Sequence, residues 1–311
     1  MSVESQLAAS VLMVRPVRFE SNPMTAASNR FQGKSNANPA AQNVAAQAEF
    51  DALAVALRNA GVNVIVADDT HEPHTPDSVF PNNWVSFHAD GRVVLYPMEA
   101  ENRRPERRHD LVEALSSKYG FAVKEVVDLA FHEQAGHYLE GTGSMVLDRI
   151  KHIAYACLSS RTQLDPLGDF AQRMDYDVVT FDAVDGDGVA IYHSNVMMSI
   201  GEKIAVICAA AIKRDEQRTA VLQRLADSGR EVILLSYDQL QAFAGNMLEL
   251  RSSTGNSVMA MSQQAYDVLD DSQLERIRAA SNIVSADIGN IEASAGGSVR
   301  CMLAEIHLPT A

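Results

Sequence analysis

Five polar or nucleophilic residues recur at nearly regular intervals along this 311-residue chain. Asn83, Glu140, His193, Asn246 and Cys301 are separated by 57, 53, 53 and 55 positions. A cysteine, a histidine and a glutamate in one pocket have a familiar chemistry: the thiolate attacks an electrophilic carbon, the imidazole moves protons, and the carboxylate orients a partner or binds substrate. Unless the alignment is due to chance, the spacing indicates equivalent positions in a repeated unit that converge on one pocket.

Cys301 is the candidate nucleophile among three cysteines. It follows residues 295–300 (AGGSVR), whose glycines permit tight turns and whose Arg300 could lower the pKa of the thiol. Cys157 and Cys208 lie in the apolar runs HIAYAC and IAVICAA, which are typical of buried strands. An odd number of cysteines without CxxC spacing indicates neither a disulfide framework nor a structural zinc site. The histidines show no metal-ligand spacing either, so we predict no metal.

A second group of candidate residues lies in the segment 75–84 (TPDSVFPNNW), which is rich in turn-forming residues. Asp77 is either a turn cap or a carboxylate that receives the N–H groups of a urea-like or guanidinium head group. Phe80 and Trp84 are either walls of the pocket or parts of the core.

The segments that carry these residues share one order of elements. From residue 193 the pattern predicts two strands joined by a glycine-containing turn, a helix at 213–228 and a strand at 231–235. The same order is predicted from residue 140 (helix 164–176, strand 177–181) and from residue 246 (helix 262–279, strand 282–285). It is also predicted from residue 82 (helix 107–119, strand 122–127), where Asp90-Gly91 indicates a hairpin.

The fifth unit combines both ends of the chain. Its first strand is predicted at 298–308, its second at 11–15, its helix at 45–60 and its third strand at 62–66. Closure by the two termini removes free sheet edges. We therefore expect one α/β domain over residues 1–311, with pseudo-fivefold repeats. The segment 20–43, rich in Asn, Gln, Ala and Ser, is predicted to be a loop that could cover a site.

The composition argues against several classes of partner. A net charge of −14, from 26 basic and 40 acidic residues, gives no electrostatic reason to bind nucleic acid or an anionic membrane. The arginines 103, 104, 107 and 108, interrupted by Glu106, are predicted to form a solvated helix face. Without a membrane-spanning stretch or a signal-peptide pattern, the chain is expected to be cytoplasmic. A homodimer is expected only because it is the commonest oligomer.

The ordered motifs PDSVFPNNW, LEGTGSMVLDR, YHSNVMM, GNMLEL and GGSVRCMLAEI resemble those of the arginine deiminase and amidinotransferase (pentein) superfamily of guanidino-group-modifying enzymes. The N-terminal segment MVRPVRFESNPMTAASNRFQ extends the resemblance, which is greatest to the citrulline-utilisation hydrolase (CtlX-like) branch. The resemblance covers essentially the whole chain and implies a five-bladed α/β propeller.

The resemblance also implies roles for the residues. Cys301 would be the nucleophile, His193 the general acid and base, Glu140 the family's glutamate, and Asp77 a ligand of the substrate head group. The thiolate would attack the planar carbon of a guanidino or ureido group, and water would hydrolyse the covalent intermediate. No cofactor is implied, and the expected partner is a small amino-acid substrate. The other predicted substrate-binding residues are Asn83, Phe80, Asn195 and Asn246.

Departures from the arginine deiminase pattern suggest the substrate. This chain has His193-Ser-Asn195 in place of HxD, EGTGS from Glu140 in place of EGGD, and Asn82-Asn83 in place of an acidic pair. An amide offers donors and acceptors to a neutral group, whereas a buried carboxylate needs a cationic partner. We therefore hypothesise that the substrate is an uncharged ureide such as citrulline, converted to ornithine, ammonia and carbon dioxide.

Several alternatives stay open at this point. Asp77 and Glu140 could still hold a guanidinium, as in a hydrolase of arginine, methylated arginine or acylated arginine. An amidinotransferase would use the same nucleophile, and a non-catalytic ligand-sensing ring is a remote possibility. The substrate's amino and carboxylate groups have candidate ligands at Arg15, Arg18, Asn22, Arg161 and Arg300.

Overall fold

The computed structural model describes residues 4–33 and 38–311, and in them the chain forms five three-stranded sheets and ten α-helices. The strands are β1 Ser10–Arg15, β2 Asn63–Asp68, β3 Val85–Phe87, β4 Arg92–Leu95, β5 Glu125–Asp128, β6 Met145–Asp148, β7 Ile153–Cys157, β8 Asp177–Phe181, β9 Met198–Ile200, β10 Ile204–Ile207, β11 Glu231–Leu234, β12 Leu248–Arg251, β13 Ser257–Ser262, β14 Asn282–Ala286 and β15 Ala304–Ile306. The helices are α1 Pro39–Asn59, α2 His109–Ser117, α3 Gly141–Ser144, α4 Leu164–Met174, α5 Ser194–Met197, α6 Asp215–Asp227, α7 Tyr237–Gln241, α8 Gln263–Val268, α9 Asp271–Ala280 and α10 Gly289–Ala295.

Each sheet has the same plan, which confirms the predicted repeat. Two strands pair antiparallel, joined by a tight turn in four of the sheets, and a helical crossover brings the third strand parallel to the second. In the sheet that follows residue 193, Ser199 of β9 pairs with Val206 of β10, and Ile204 of β10 pairs with Glu231 of β11. The mixed α/β class predicted from the sequence is therefore correct.

The fifth sheet contains strands from both ends of the chain, as predicted. β15 pairs antiparallel with β1, with Ala304 opposite Leu12, and β1 pairs parallel with β2, with Leu12 opposite Ile65. Helix α1 covers this sheet with Phe50, Leu53 and Leu57, whose side chains are buried. This pairing ties the two ends of the chain together in one unit.

The predicted first strands begin several residues too early. The strands expected from Glu140, His193 and Ser298 begin at Met145, Met198 and Ala304, because a short helical turn precedes each of them. These turns are α3, α5 and a 3-10 turn at Val299–Met302; another 3-10 turn at Pro81–Asn83 precedes β3. Glu140 and His193 directly precede α3 and α5, whereas Asn83 and Cys301 lie within the 3-10 turns.

Two predicted helices also differ from the structure. The helix expected at 262–279 is divided into α8 and α9, because Asp270 caps the N-terminus of α9 in a capping box with Gln273. Helix α1 begins at Pro39 rather than at residue 45, and the Asn38 side chain accepts a hydrogen bond from Ala40 N at its start. Of the predicted loop 20–43, residues 34–37 lie outside the described residues.

The described residues contain no helix that is both long enough and apolar enough to cross a bilayer. Trp84 is fully buried with Val85, Phe87 and Leu95 beside β3 and β4, so this tryptophan belongs to the core rather than to the pocket wall.

Candidate active site

The starts of the repeated units enclose a small buried cavity. Cys301, His193, Asn83, Asp77 and Phe80 line it, all of them predicted site residues. Its free volume is about 10 Å³, which is room for about one water molecule. The other lining residues are Thr25, Asn29, Arg103, Arg161, Tyr192, Ala295 and Gly297. Residues more than 200 positions apart therefore meet in one site, as the spacing predicted.

Glycine allows the turn at the start of β6 to approach the other units closely. A Cβ atom on Gly143 would lie 2.5 Å from Nδ2 of Asn83 and 2.7 Å from Nδ1 of His193. Gly141 has a φ of +49° and faces the backbone oxygen of Asn82. The segment Glu140-Gly-Thr-Gly thus packs closely against two neighbouring units, which brings Glu140 beside His193.

Glu140 and His193 form a buried pair. Nε2 of His193 lies 3.0 Å from Oε2 of Glu140, at ion-pair distance but out of line for a hydrogen bond. Burial lowers the pKa of His193 to about 4, although the adjacent carboxylate of Glu140 raises it. Burial alone would raise the pKa of Glu140, but the charge of Arg161, the contact with His193 and the charge of Arg103 outweigh it and hold that pKa well below its usual range. At neutral pH the pair is therefore a neutral imidazole beside a carboxylate.

The Cys301 side chain is buried in the 3-10 turn that precedes β15. Its sulfur accepts hydrogen bonds from Nδ2 of Asn195 at 3.4 Å and from Nδ2 of Asn246 at 3.3 Å. These two asparagines therefore lie against the thiol, and neither of them lines the cavity.

Arg300 does not interact with the thiol in the way that the sequence suggested. Its guanidinium donates hydrogen bonds to the Leu303 backbone oxygen at 2.9 Å and to Oε2 of Glu305 at 2.7 Å. The charge of Arg300 is therefore paired with Glu305.

Asp77 has one oxygen with a partner and one without. Oδ2 accepts a hydrogen bond from Asn22 Nδ2 at 2.7 Å and lies 3.6 Å from Nε of Arg103. Oδ1 is buried and has no hydrogen-bond partner. An unsatisfied buried carboxylate oxygen is costly, so its position in the cavity wall suits a ligand that brings an N–H group.

Arg103 corrects the prediction of a solvated arginine face. Its side chain is 2% exposed and donates two hydrogen bonds to Glu106, both at 2.9 Å, and one to Oδ1 of Asn83 at 3.1 Å. Its Nη1 lies 3.6 Å from Oε2 of Glu140. Burial raises the pKa of Glu106, and the charge of Arg103 opposes that rise. The prediction was wrong because this segment folds into a 3-10 helix, Glu101–Glu106, that turns Arg103 inward.

Arg161 is the second buried cation of the cavity wall. Its Nη1 lies 3.5 Å from Oε2 of Glu140, and its Nη2 donates to the Thr25 backbone oxygen at 3.1 Å and to the Ser28 hydroxyl at 2.7 Å. The guanidinium also lies over the ring of Tyr192, 4.9 Å from its centroid. Of the predicted ligands for the ends of a substrate, Arg161 lines the cavity, whereas Arg15 pairs with Asp51 and Arg18 with Glu20.

The two buried arginines of the cavity wall both face carboxylates. Arg103 faces Asp77, Glu106 and Glu140. Arg161 faces Glu99 and Glu140, while His193 is neutral. A buried thiol supported by amide donors, a neutral imidazole and an unsatisfied carboxylate oxygen can support nucleophilic attack on a planar carbon that carries N–H groups.

A family comparison agrees with this chemistry. The profile of the family described as N,N dimethylarginine dimethylhydrolase, eukaryotic, matches residues 15–308. The chain belongs to the dimethylarginine dimethylhydrolase family. Its resemblance to the guanidino-group-modifying superfamily is confirmed. No curated protein sequence matches the chain.

Solved structures share the fold of this dimethylarginine dimethylhydrolase family member. ArgZ, an arginine dihydrolase from the ornithine–ammonia cycle in cyanobacteria, has a TM-score of 0.73 at 17% identity; the match covers 97% of this chain and 41% of ArgZ. The N-terminal domain of ArgZ with bound substrate has a TM-score of 0.71 at 17% identity, over 96% and 99% of the two chains. A histidine variant of dimethylarginine dimethylaminohydrolase, as an adduct with S-methyl-L-thiocitrulline, has a TM-score of 0.64 at 14% identity, over 96% and 99%. The chain thus spans about two fifths of the length of full-length ArgZ.

Proposed function

We propose that this protein hydrolyses the head group of a ureido or guanidino amino acid through a covalent intermediate on Cys301, and that its substrate is citrulline. The observation that carries the proposal is the convergence of Cys301, His193 and Asp77 on one cavity, with Glu140 beside His193. Family membership supports the carbon–nitrogen hydrolase chemistry.

The first half of the reaction forms a thioester-like bond and releases ammonia. His193, which is neutral, accepts the proton of the Cys301 thiol, and the sulfur attacks the ureido carbon. The tetrahedral intermediate collapses with cleavage of a C–N bond, and the imidazolium returns its proton to the departing nitrogen, which leaves as ammonia. The product is a thiocarbamate on Cys301.

The second half uses one water molecule. His193 accepts a proton from the water as it attacks the thiocarbamate carbon, and the C–S bond breaks to regenerate the Cys301 thiol. The released carbamic acid loses carbon dioxide and leaves ornithine. The sum is citrulline and water converted to ornithine, ammonia and carbon dioxide.

The pairing of the buried charges favours a neutral head group. Glu140 already faces Arg103 and Arg161, and its other oxygen, Oε1, accepts a hydrogen bond from the Glu99 backbone N–H at 3.1 Å. A buried guanidinium would need a counter-ion of its own, and the Asp77 carboxylate already lies 3.6 Å from Arg103. A ureide adds no charge, and the free Oδ1 of Asp77 can accept one of its N–H groups.

An arginine or dimethylarginine hydrolase is the second candidate, because the family description names dimethylarginine and ArgZ is an arginine dihydrolase. In that case, the unpartnered oxygen of Asp77 would form an ion pair with the substrate's guanidinium. An amidinotransferase would retain Cys301 and differ only in the group that resolves the intermediate.

A comparison of substrates tests the proposal. Ornithine and ammonia are measured with citrulline, arginine and dimethylarginine, using the wild-type protein, Cys301→Ala and, as a matched control, Cys208→Ala. We expect turnover of citrulline that is lost in Cys301→Ala and kept in Cys208→Ala. Citrulline accumulating from arginine or from dimethylarginine would overturn the citrulline assignment, and turnover by Cys301→Ala would overturn the covalent mechanism.

We also propose that the five sheets form the blades of one closed α/β propeller domain over residues 1–311. The joining of β1 and β15 in one sheet supports closure. A single cooperative unfolding transition, seen alike by near-UV and far-UV circular dichroism, is the expected result.

A further inference from the structure

We propose that Asn195 and Asn246 act on the nucleophile rather than on the substrate: their two side-chain amides stabilise the thiolate that Cys301 forms when its thiol loses its proton. This inference rests on the proposed nucleophilic role of Cys301 and adds two residues that touch the reacting atom.

The orientation of the Asn246 amide is fixed independently of the sulfur. Its Nδ2 donates to the backbone oxygen of Asn195 at 2.8 Å as well as to Sγ of Cys301 at 3.3 Å. Rotating this amide by half a turn would place its own oxygen against that backbone oxygen, two acceptors with no hydrogen between them. Asn246 therefore presents an N–H group to the sulfur.

The Asn195 amide approaches the same sulfur from the turn that follows His193. Its Nδ2 lies 3.4 Å from Sγ. A thiol has a single hydrogen and is a weak acceptor, whereas a thiolate accepts several hydrogen bonds. Two N–H donors directed at one sulfur are therefore the arrangement that suits the charged form.

This arrangement leaves one polar atom unsatisfied in each of the same two side chains. Oδ1 of Asn195 and Oδ1 of Asn246 are both buried without a hydrogen-bond partner. Unsatisfied buried amide oxygens are rare and destabilising, so they call for a compensating role. Stabilising a buried thiolate is such a role, because hydrogen bonds to a charged acceptor are about twice as strong as those between neutral groups.

The backbone around Asn246 holds the amide in place. A Cβ atom on Gly245 would lie 2.5 Å from the Val196 backbone oxygen, so only glycine lets this loop pack against helix α5. The backbone oxygen of Asn246 accepts a hydrogen bond from Arg300 N at 3.4 Å. Asn246 thus joins the turn that holds His193 to the turn that holds Cys301.

A neutral substrate makes such donors more important. A guanidinium would bring a positive charge next to the sulfur and stabilise the thiolate itself, whereas a ureide brings none. For the proposed substrate, the stabilisation must come from the protein. With Arg300 paired to Glu305, the two amides are the groups that hydrogen-bond to the sulfur.

Iodoacetamide alkylation across pH tests the inference without any substrate. The three cysteines fall on separate tryptic peptides, 152–161, 204–213 and 301–311, so mass spectrometry follows Cys301 alone. We expect the midpoint of Cys301 alkylation to move to higher pH by about 1–2 units in Asn246→Ala and in Asn195→Ala, from the loss of one hydrogen bond to a charged sulfur. The isosteric Asn246→Asp, which replaces the donor with a carboxylate, should move it at least as far even if an alanine variant folds poorly.

The matched control is Asn82→Ala, which removes an equally buried amide whose Nδ2 faces Thr142 rather than the sulfur. Its midpoint should stay at the wild-type value. An unchanged midpoint in Asn246→Asp and both alanine variants would overturn the inference even if citrulline is turned over. A shifted midpoint in a protein that acts on arginine instead of citrulline would keep the inference and overturn the proposed substrate.

Discussion

Nε2 of His193 lies 3.0 Å from Oε2 of Glu140, and the two buried groups differ in charge at neutral pH. Burial keeps the imidazole neutral, with a pKa of about 4, while Arg161, His193 and Arg103 keep the carboxylate charged. A neutral imidazole beside a fixed carboxylate can accept a proton and hold it as an imidazolium until a leaving group takes it. The pair therefore suits a reaction with two successive proton transfers.

Turnover should depend on pH in the way that this pair dictates. Because the pKa of His193 is about 4, the imidazole is neutral and able to accept a proton throughout the range above pH 5. On the acid side of the pH–rate profile, we expect kcat to be constant from about pH 8 down to pH 5 and to fall as the pH drops through about 4. Glu140→Gln should lower kcat by about 10²–10⁴-fold, because the imidazole loses the charge that stabilises its protonated form.

A pH–rate profile of the wild-type enzyme, with stopped assays at constant ionic strength, checks this expectation. An acid limb with its midpoint near 6.5 would show that His193 titrates as an ordinary exposed histidine, which would contradict the proposed state of the pair.

Stability should also fall on mild acidification. The pKa of His193 is about 4 in the folded protein and about 6.5 in the unfolded chain, so the unfolded state binds the extra proton between those values. The free energy of unfolding therefore falls as the pH drops from about 6.5 to 4, by about 3 kcal/mol from this group. Glu140, whose folded pKa is depressed, contributes stability above its unfolded pKa of about 4.3 that is lost only at lower pH.

Urea unfolding at several pH values separates these contributions. His193→Gln should flatten the dependence between pH 6.5 and 4, while His71→Gln, at an exposed position, should leave it as in the wild-type protein. Equal slopes in the wild-type protein and in His193→Gln would mean that His193 is protonated in the folded state.

The repeat made much of the site predictable. Equivalent positions in a repeated unit lie at equivalent places in the fold. The interval of 53–57 residues was therefore enough to predict that Glu140, His193 and Cys301 lie close together. The same interval predicted that the two ends of the chain would share a sheet, and β1 pairs with β15.

Side-chain direction was not predictable in the same way. Arg103 lies in a run of arginines whose composition is typical of a solvated surface. In the structure, the 3-10 helix Glu101–Glu106 points Arg103 inward and leaves Arg104 partly exposed. The glutamate three residues later, Glu106, was the available signal for an internal ion pair. Asn195 and Asn246 were predicted to bind the substrate, and only atomic distances show that they face the sulfur of Cys301.

Loss of the buried cation Arg103 should destabilise the fold. In Arg103→Met, Glu106 loses both of its hydrogen bonds, and Asp77 and Glu140 lose a neighbouring positive charge. We expect the free energy of unfolding to fall by about 3–5 kcal/mol, because breaking a buried pair leaves its partner uncompensated. Arg104→Met, at a partly exposed position, should change it by less than about 1 kcal/mol.

The double variant Arg103→Met/Glu106→Gln distinguishes an ion-pair effect from a packing effect. If the unpaired charge is the cause, the double variant should be more stable than Arg103→Met alone in urea unfolding. A double variant as unstable as the sum of its single variants would contradict that cause.

Gly143 should not tolerate a larger residue without loss of activity. A Cβ atom there would lie 2.5–2.8 Å from Asn83 Nδ2 and from the His193 ring, distances that real Cβ contacts essentially never show. Gly143→Ala must therefore displace one of these side chains, and a shift of about 1 Å at a proton-transfer group costs about 10²-fold in rate. We expect kcat to fall by at least that factor.

Gly168→Ala is the matched control for this substitution. Gly168 lies inside helix α4, and a Cβ atom there would meet nothing within 4 Å. Because alanine is favoured over glycine inside a helix, Gly168→Ala should raise the free energy of unfolding by about 0.5–1 kcal/mol and leave kcat unchanged. Steady-state kinetics with urea unfolding compare the two variants. A Gly143→Ala protein with wild-type kcat would show that His193 and Asn83 can shift without loss of catalysis, and would remove the argument that the close approach of this turn positions the imidazole.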